Sequence, residues 1–235
     1  MFQISPKNSF TQVASWLQNS GIQSAGGGFY SWFDAGLASY SYLYSEITGY
    51  GISTLLFLYD IQKDTAQLKK AKRAAQWIKD VAMHPCGGIR TRLHAHDASA
   101  DKVYSFAEEN IFSFDTGMVL YGVINLYRVT QDSQYLVMAK TIADFLIGTM
   151  QQEDGSLAPI YNARNNALFV ATEPKWSNQP ASFHAKVALG LVDLFEVTGD
   201  KKYYGAAARL CTYALTTQEA GGRFITDKFA GTTHL

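Results

Sequence analysis

The chain repeats itself at a spacing of 68 residues without a gap. Aspartate follows a short polar turn at Asp64, Asp132 and Asp200, and successive members of this set are 68 residues apart. The same register relates Leu58, Leu126 and Leu194. A fixed period of this kind is the signature of a repeat protein, in which each unit buries its apolar face against its neighbours.

Each repeat contains two apolar segments of different character. Residues 117–127 are apolar nearly all round, as expected of a helix buried on every side, whereas residues 68–82 carry apolar side chains at helical spacing with lysines between them. We therefore predict inner helices and outer helices that alternate along the chain. The predicted inner helices are 46–61, 115–130 and 183–198, and the outer ones are 9–19, 64–82, 132–149 and 200–217.

The connections between these helices are unequal in length. An inner helix passes to its outer partner through a few polar residues, which suits an antiparallel pair, but the next inner helix follows only after roughly 30 residues. All the long loops should therefore emerge on one face. A tetratricopeptide solenoid, whose period of about 34 is half of this one, would have short loops at both ends. We predict an all-α fold, an α/α toroid of helical hairpins with about seven helices and an incomplete ring, forming one domain over residues 1–235.

A closed ring of six hairpins needs more helices than the seven assigned. The ring could be open, partner chains in a homo-oligomer could complete it, or further C-terminal helices could follow in a longer protein, and we favour the last.

Composition excludes several classes of partner and site. Twenty basic and twenty acidic residues cancel, which gives no reason to expect a nucleic-acid or membrane surface. No signal-peptide pattern and no uncharged apolar stretch of spanning length occurs, so we expect a cytoplasmic protein. Only Cys86 and Cys211 are present, which disfavours a disulfide scaffold and a cysteine zinc site. Cys211 is expected to be buried on an outer helix.

Candidate functional residues lie where the inner helices begin and the long loops surround them. Glu46, Asp115 and His184 fall in or near first turns, with His184 in a register that holds threonine at Thr48 and Thr116. The catalytic candidates are Glu46, Tyr50, Asp115, Tyr161 and His184, and the substrate-binding candidates are Tyr30, Trp32, Arg164 and Trp176.

Each candidate also has a structural explanation. A carboxylate in a first helical turn is favoured by capping and the helix dipole alone, and tryptophan in a loop can simply anchor it. His94 and His96, followed by Asp97, invite a metal site, but no third ligand is fixed by spacing, so we predict no metal and no cofactor.

The residues of the inner-helix starts and of the short turns carry a family resemblance. Glu46-Ile47-Thr48-Gly49-Tyr50, Phe114-Asp115-Thr116-Gly117 and Val197-Thr198-Gly199-Asp200 resemble six-hairpin, α/α-toroid carbohydrate-active proteins. The nearer relatives are expected among the glucuronyl C5-epimerase C-terminal domain and toroid proteins of bacterial exopolysaccharide clusters. The resemblance covers most of residues 10–230 as a repeat pattern rather than as a catalytic signature.

The resemblance implies an enzyme that acts on an oligo- or polysaccharide, expected to bear uronate, by acid–base chemistry in polysaccharide metabolism or biosynthesis. Hydrolysis needs two carboxyl groups, for which Glu46 and Asp115 are available. Epimerisation beside a uronate needs a cation such as Arg164 together with a base and an acid, for which Tyr50, Tyr161 and His184 are available. The alternative is a non-catalytic glycan-binding or assembly module that grips sugar through its aromatic side chains.

Overall fold

The computed structural model describes residues 6–94, 102–169, 175–227 and 232–234. For residues 6–9, 226–227 and 232–234 it describes the backbone alone. Seven α-helices occur in these ranges: α1 Pro6–Asn19, α2 Ser45–Gln62, α3 Thr65–Trp77, α4 Ser113–Thr130, α5 Ser133–Phe145, α6 Ala188–Thr198 and α7 Lys201–Thr216. The strands are short: β1 Phe33–Asp34, β2 Ser39–Tyr40, β3 Leu43–Tyr44, β4 Arg92–Leu93, β5 Asn110–Phe112, β6 Ile160–Asn162, β7 Ala167–Phe169, β8 Phe224–Asp227 and β9 Thr232–His234.

The helices alternate between an inner and an outer layer. The inner helices α2, α4 and α6 contact one another in that order, and each also packs on the outer helix that follows it. Helix α4, which has an inner neighbour on both sides, buries Leu120, Val123, Ile124 and Leu126 completely. Outer helices expose one face, as Val137 on α5 and Leu215 on α7 show. The predicted toroid of helical hairpins is confirmed.

The short turns repeat residue by residue. Lys63, Gln131 and Gly199 end the three inner helices in the left-handed conformation, with φ of 55°, 55° and 70°. The following aspartates then cap the outer helices, since Asp64, Asp132 and Asp200 each accept a hydrogen bond from the backbone N–H two residues later. A side-chain cap at this position satisfies a backbone donor that a helix start otherwise leaves unpaired.

Glycines start the long loops, as predicted. Gly27, Gly87, Gly155 and Gly222 have φ between 85° and 110°, a region that side chains with a Cβ rarely adopt. An antiparallel bridge closes the turn around each of these glycines, for example Gln23 with Phe29. The first two complete outer helices, α3 and α5, reach their loops through one π-helical turn each, at Ile78–Ala82 and Leu146–Met150.

Hydroxyl groups fasten the long loops to the starts of the inner helices. The Ser45 hydroxyl donates to the backbone oxygen of Arg90, and the Ser113 hydroxyl donates to that of Ala158. Thr48 and Thr116 accept the N–H groups of Phe29 and Ile89 at 2.9 and 3.3 Å. The long loops and the inner-helix starts therefore form one rigid layer at this face.

The third inner segment differs from its prediction. Residues Ser182–Val187 form a 310 helix, and the α-helix begins only at Ala188. His184 replaces threonine here, and its Nδ1 accepts the N–H of Ala181, three residues earlier, at 3.4 Å. That contact fits a turn wound more tightly than an α-helix.

Two further observations concern the chain as a whole. Cys211 is exposed rather than buried, because it falls on the outer face of α7; Cys86 is also exposed, and both are free thiols. Among the described residues no helix combines the length and apolarity that crossing a bilayer requires.

Candidate functional site

A cavity of about 100 Å³ lies at the face where the inner helices begin. Its wall comes from the strands before α2 and α4, from the start of α4 and from the 310 segment before α6. Most of the lining side chains are aromatic, and an arginine, an aspartate and a histidine are among them. The full set is Tyr44, Arg92, Tyr104, Phe112, Phe114, Asp115, Pro159, Trp176, Ser177, Phe183 and His184.

Asp115 projects from the first turn of α4 into this cavity and is 5% exposed. Its Oδ2 accepts no hydrogen bond from the part of the chain that the structure describes, and the start of α4 has no side-chain cap. Helix capping therefore does not account for this carboxyl group. Burying a carboxyl oxygen without a partner costs free energy, and such a group usually marks a ligand or catalytic position.

The environment of Asp115 favours its protonated form. Burial raises its pKa well above the ordinary value, and the negative charge of Glu46 raises it further. The hydroxyls of Thr91 and Tyr44 and the charge of Arg92 oppose that rise without reversing it. A buried carboxyl beside a second carboxyl is the usual arrangement for holding one proton near neutral pH.

Glu46 occupies the first turn of the neighbouring inner helix, α2, and is half-buried. Burial raises its pKa and is the largest effect, while the hydroxyls of Tyr44 and Tyr50 and the positive charges of Lys186 and Arg92 limit that rise. Tyr44 and Arg92 stabilise both carboxylates, so Glu46 differs from Asp115 chiefly in its shallower burial and in the additional presence of Lys186 and Tyr50.

Tyr44 stands between the two carboxyl groups. Burial raises the pKa of its hydroxyl, and the charges of Asp115 and Glu46 raise it further, so the phenol stays protonated. The strand pairing of β3 with β4 sets Tyr44 directly opposite Arg92.

The guanidinium of Arg92 is surrounded by aromatic rings. Its Cζ lies 4.1 Å from the ring centre of Tyr104, 4.8 Å from that of Tyr42 and 5.2 Å from that of Tyr44. Cation–π contacts of this kind hold a flexible arginine in one place. The cavity wall therefore carries a fixed positive charge near Asp115.

His184 forms another part of the wall and is fully buried. Burial lowers its pKa to about 4, so the imidazole is neutral at physiological pH. Its ring lies 4.2 Å from that of Phe183. Because Nδ1 accepts the N–H of Ala181, the neutral imidazole carries its hydrogen on Nε2 and can donate a hydrogen bond to a substrate oxygen, which keeps His184 among the candidates.

The structure separates Tyr161 and Arg164 from this cluster. Tyr161 lies on β6 with its ring against Phe145 of α5, and its hydroxyl donates to the Asn166 side chain. Arg164 is at the tip of the β6–β7 hairpin, where its guanidinium donates to the Ala107 oxygen at 2.6 Å and its side chain is 59% exposed. Neither lines the cavity, because the hairpin turns them toward the outer layer and toward solvent.

The aromatic candidates fall at different distances from the cavity. Trp176 lines it, is 53% exposed and meets Phe183 edge-on at 5.1 Å. Trp32 is further out and packs edge-on against Tyr42, which in turn covers Arg92. Tyr30 stacks on Tyr40 at 5.0 Å and packs against the core, which indicates a structural role.

Sequence reasoning missed Tyr44, Arg92, Tyr104 and Lys186. One signal was available for Lys186, because it shares the 68-residue register with Tyr50, and the two side chains meet in the structure with the Lys186 Nζ 2.9 Å from the Tyr50 hydroxyl. Arg92 and Tyr104 come from a long loop, and only its pairing with other segments brings them here.

The histidine-rich segment that invited a metal site can be described only in part, because His96 and Asp97 lie outside the described residues. Among the described residues, no three His, Cys, Asp or Glu side chains cluster closely enough to hold a metal ion.

Comparison with known families decides where this chain belongs. Residues 6–169 match the model of glycosyl hydrolase family 76, which is well over half of the chain. The chain belongs to glycosyl hydrolase family 76. The expected resemblance to six-hairpin toroid carbohydrate-active proteins is thereby confirmed, while a nearer kinship with glucuronyl C5-epimerase stays a prediction. No curated protein matches the chain in sequence.

Solved structures of similar shape include members of this family and sugar epimerases. Cellobiose 2-epimerase from Bacillus thermoamylovorans aligns over 96% of this chain and 60% of its own, with 15% identity and a TM-score of 0.74. A family 76 α-mannanase from Bacteroides thetaiotaomicron aligns over 96% and 61%, with 16% identity and a TM-score of 0.72. A sugar epimerase from a ruminal bacterium aligns over 88% and 51%, with 14% identity and a TM-score of 0.68. The chain thus spans about three-fifths of the length of the first two proteins.

Proposed function

We propose that this family 76 protein is an enzyme that cleaves a glycosidic bond in an oligo- or polysaccharide, with Asp115 as general acid and Glu46 as the ionised carboxylate. The observation that carries the proposal is the buried Asp115 carboxyl, which has an oxygen without a hydrogen-bond partner among the described residues and faces an aromatic cavity beside a second carboxyl. Family membership supports hydrolysis.

The two roles follow from the two environments. Glycoside hydrolysis needs one protonated carboxyl to donate to the leaving oxygen and one carboxylate to act as base or nucleophile. Asp115 is the more deeply buried and is held protonated, so it can donate. The pKa of Glu46 is also raised by burial, but Asp115 is the more deeply buried of the two and Glu46 has hydroxyls and cations around it, so Glu46 is the carboxyl that we assign the charge. Environments that shift two carboxyl pKa values unequally are the usual basis for dividing these tasks.

Epimerisation is the second candidate, and the neutral His184 in the cavity wall favours it. Moving a proton at a sugar carbon needs a base together with a donor to the neighbouring oxygen. Since Nδ1 of His184 accepts the N–H of Ala181, its Nε2–H would be the donor and the Glu46 carboxylate the base. Arg92, held by three aromatic rings at the same wall, supports a uronate-bearing substrate. We therefore include a uronate-bearing substrate and a role in cytoplasmic polysaccharide biosynthesis in the proposal.

The test measures turnover of α-manno-oligosaccharides for hydrolysis and of cellobiose and uronate-bearing oligosaccharides for epimerisation. We expect Asp115→Asn and Glu46→Gln each to lower the hydrolysis rate by about 10²-fold or more, as losing a positioned acid or base does. Tyr161→Phe is the matched control, because its hydroxyl lies outside the cavity, and it should keep the wild-type rate. If His184→Gln alone abolished turnover while Asp115→Asn retained it, the epimerase mechanism would replace the hydrolase one.

A non-catalytic glycan-binding module is the rival explanation. It predicts that glycan binding survives the double replacement of Glu46 and Asp115 and that the wild-type protein turns over none of the glycans. Wild-type rates in both single variants would show that this cavity is not the active site.

A further inference from the structure

Lys186 and Tyr50 join the first and third inner segments at the face that carries the cavity. The Nζ of Lys186 donates a hydrogen bond to the Tyr50 hydroxyl at 2.9 Å and lies 4.5 Å from the centre of the Tyr50 ring. The two residues are 136 positions apart, which is two repeats, so they hold equivalent places in the register. Met118 holds that place in the repeat between them and is buried.

This contact places a cation next to Glu46. Tyr50 follows Glu46 by four residues on α2, so both side chains are on the same face of the helix. The phenol of Tyr50 therefore touches Lys186 on one side and reaches toward Glu46 on the other. The titratable and charged groups around Glu46 are Tyr44 and Tyr50 from its own segment, Arg92 from β4, Asp115 from α4 and Lys186 from the 310 segment.

We propose that Lys186 is a positioning residue that, held by Tyr50, keeps Glu46 ionised while Asp115 retains its proton. The role rests on the proposed function, since it matters only if the two carboxyls divide the acid and base tasks. Two neighbouring carboxyl groups cannot both ionise readily, and a cation on one side decides which of them loses its proton first. Arg92 cannot make this choice alone, because its charge lowers the pKa of both carboxyls. Lys186 instead contacts Tyr50, which is on the same helix face as Glu46.

Tyr50 then has a structural role toward Lys186 rather than a catalytic one. Its hydroxyl pKa is raised, by burial first and by the charges of Glu46 and Asp115 next, so it stays protonated and can accept from the ammonium while donating toward Glu46. The aromatic face and the phenol oxygen together restrain an otherwise exposed lysine. A restrained cation acts on its neighbour more strongly than a freely rotating one does.

The first measurement follows the titration of the Glu46 carboxyl by carbon-13 NMR in the Asp115→Asn protein, where Glu46 titrates without its coupled partner. Lys186→Gln removes the positive charge but keeps a hydrogen-bond donor for Tyr50. The Glu46 pKa should rise by about 0.5–1 unit in this variant. Loss of a fully buried cation would produce a larger rise, but Lys186 is exposed and its charge is screened by solvent. Lys186→Arg should leave the titration near that of the parent. Lys140→Gln, which removes an exposed lysine from α5, is the matched control and should change nothing.

The second measurement is the pH profile of kcat/KM in the protein that retains Asp115. Lys186→Gln should move the acidic limb to higher pH by a similar amount, and Lys186→Arg should restore it; a purely structural lysine would lower the rate without moving the limb. An unchanged Glu46 titration in Lys186→Gln, or equal shifts in the Gln and Arg variants, would overturn the proposal. A protein without turnover whose Glu46 titrates as expected would instead refute the proposed function, so the two failures are distinguishable.

Discussion

Single residues at the cavity differ most from what their position in the repeat leads one to expect. Thr48 and Thr116 are buried and use their hydroxyls to hold the N–H groups of the loops. His184 occupies the same register in the third repeat, so its burial is a property of the position, although one side of the ring also lines the cavity. The same burial keeps its imidazole neutral, so the free energy of unfolding should depend on pH through this residue.

Replacing His184 with threonine should remove part of the acid sensitivity of the fold. The pKa of His184 is lowered from 6.5 to about 4, so below pH 6.5 the unfolded chain binds a proton that the folded chain does not. Folding stability is therefore lost as the pH falls from 6.5 toward 4, and by pH 5 the loss is about 2 kcal/mol. Urea unfolding at pH 7 and pH 5 should show the wild-type protein losing about 2 kcal/mol more than His184→Thr between these values. Equal losses in the two proteins would contradict the depressed pKa.

Helices α2 and α4 pack closely because small residues meet at their crossing. A Cβ added at Gly122 would stand 2.6 Å from the backbone oxygen of Gly49, and one added at Gly49 would stand 2.7 Å from the oxygen of Met118. The obstacle in both cases is backbone, which cannot rotate away as a side chain can. The separation of these inner helices is therefore set by glycine, and with it the distance between the helix starts that carry Glu46 and Asp115.

Gly122→Ala should destabilise the protein by about 1–3 kcal/mol, the range typical of overpacking a core, because the two helices must move apart. Gly148→Ala is the matched control. A Cβ there meets nothing within 4 Å, so that change should be neutral or stabilise by about 0.4–1 kcal/mol through the unfolded chain. Midpoints of urea unfolding compare the two variants, and a Gly122→Ala protein as stable as wild type would show that the crossing is looser than the structure indicates.

At the scale of the whole molecule, the cavity, its aromatic rim and the glycine-led loops all belong to the face where the inner helices begin. In the part of the chain that the structure describes, the short turns before Asp64, Asp132 and Asp200 lie at the opposite face. Between α4 and α6, Arg128 near the short-turn end pairs with Asp193 at 2.7 Å and also with Glu196, which fixes the two inner helices relative to each other. Ion pairs between inner helices thus lie toward one face, and the cavity in which we propose glycan binding lies at the other.

Glycan binding should accordingly depend on tryptophan at one face alone. Trp176 and Trp16 are equally exposed, at 53% and 54%, but only Trp176 lines the cavity, whereas Trp16 is on outer helix α1. In an Asp115→Asn background that prevents turnover, Trp176→Ala should weaken the binding of α-manno-oligosaccharides by about tenfold, as losing one aromatic platform does. Trp16→Ala should bind as tightly as its parent by calorimetry. Equal effects of both variants would place the sugar elsewhere.

The sequence by itself determined the helices, their pairing and the face from which the long loops emerge. Those features depend on local signals: the left-handed residue before Asp64, Asp132 and Asp200, the capping aspartate itself, and the glycine that starts each loop. Each signal acts within a few residues of sequence. Because the signals recur every 68 residues, recognising them in one repeat locates them in the other repeats. Asp115 and Glu46 could be predicted as a candidate pair of carboxyl groups, because the starts of adjacent inner helices must lie at the same face.

Only the tertiary structure decided which side chains surround those two carboxyls. The pairing of β3 with β4 sets Tyr44 opposite Arg92 across nearly fifty residues, and Lys186 reaches Tyr50 across two repeats. The β6–β7 hairpin turns Tyr161 and Arg164 away from the cavity. Loop residues carry no periodicity that reveals their partners, because their contacts depend on strand register and on the distance between inner helices. The charge of each carboxyl depends on those contacts, so the proposed division of acid and base roles rests on tertiary structure and not on any local sequence signal.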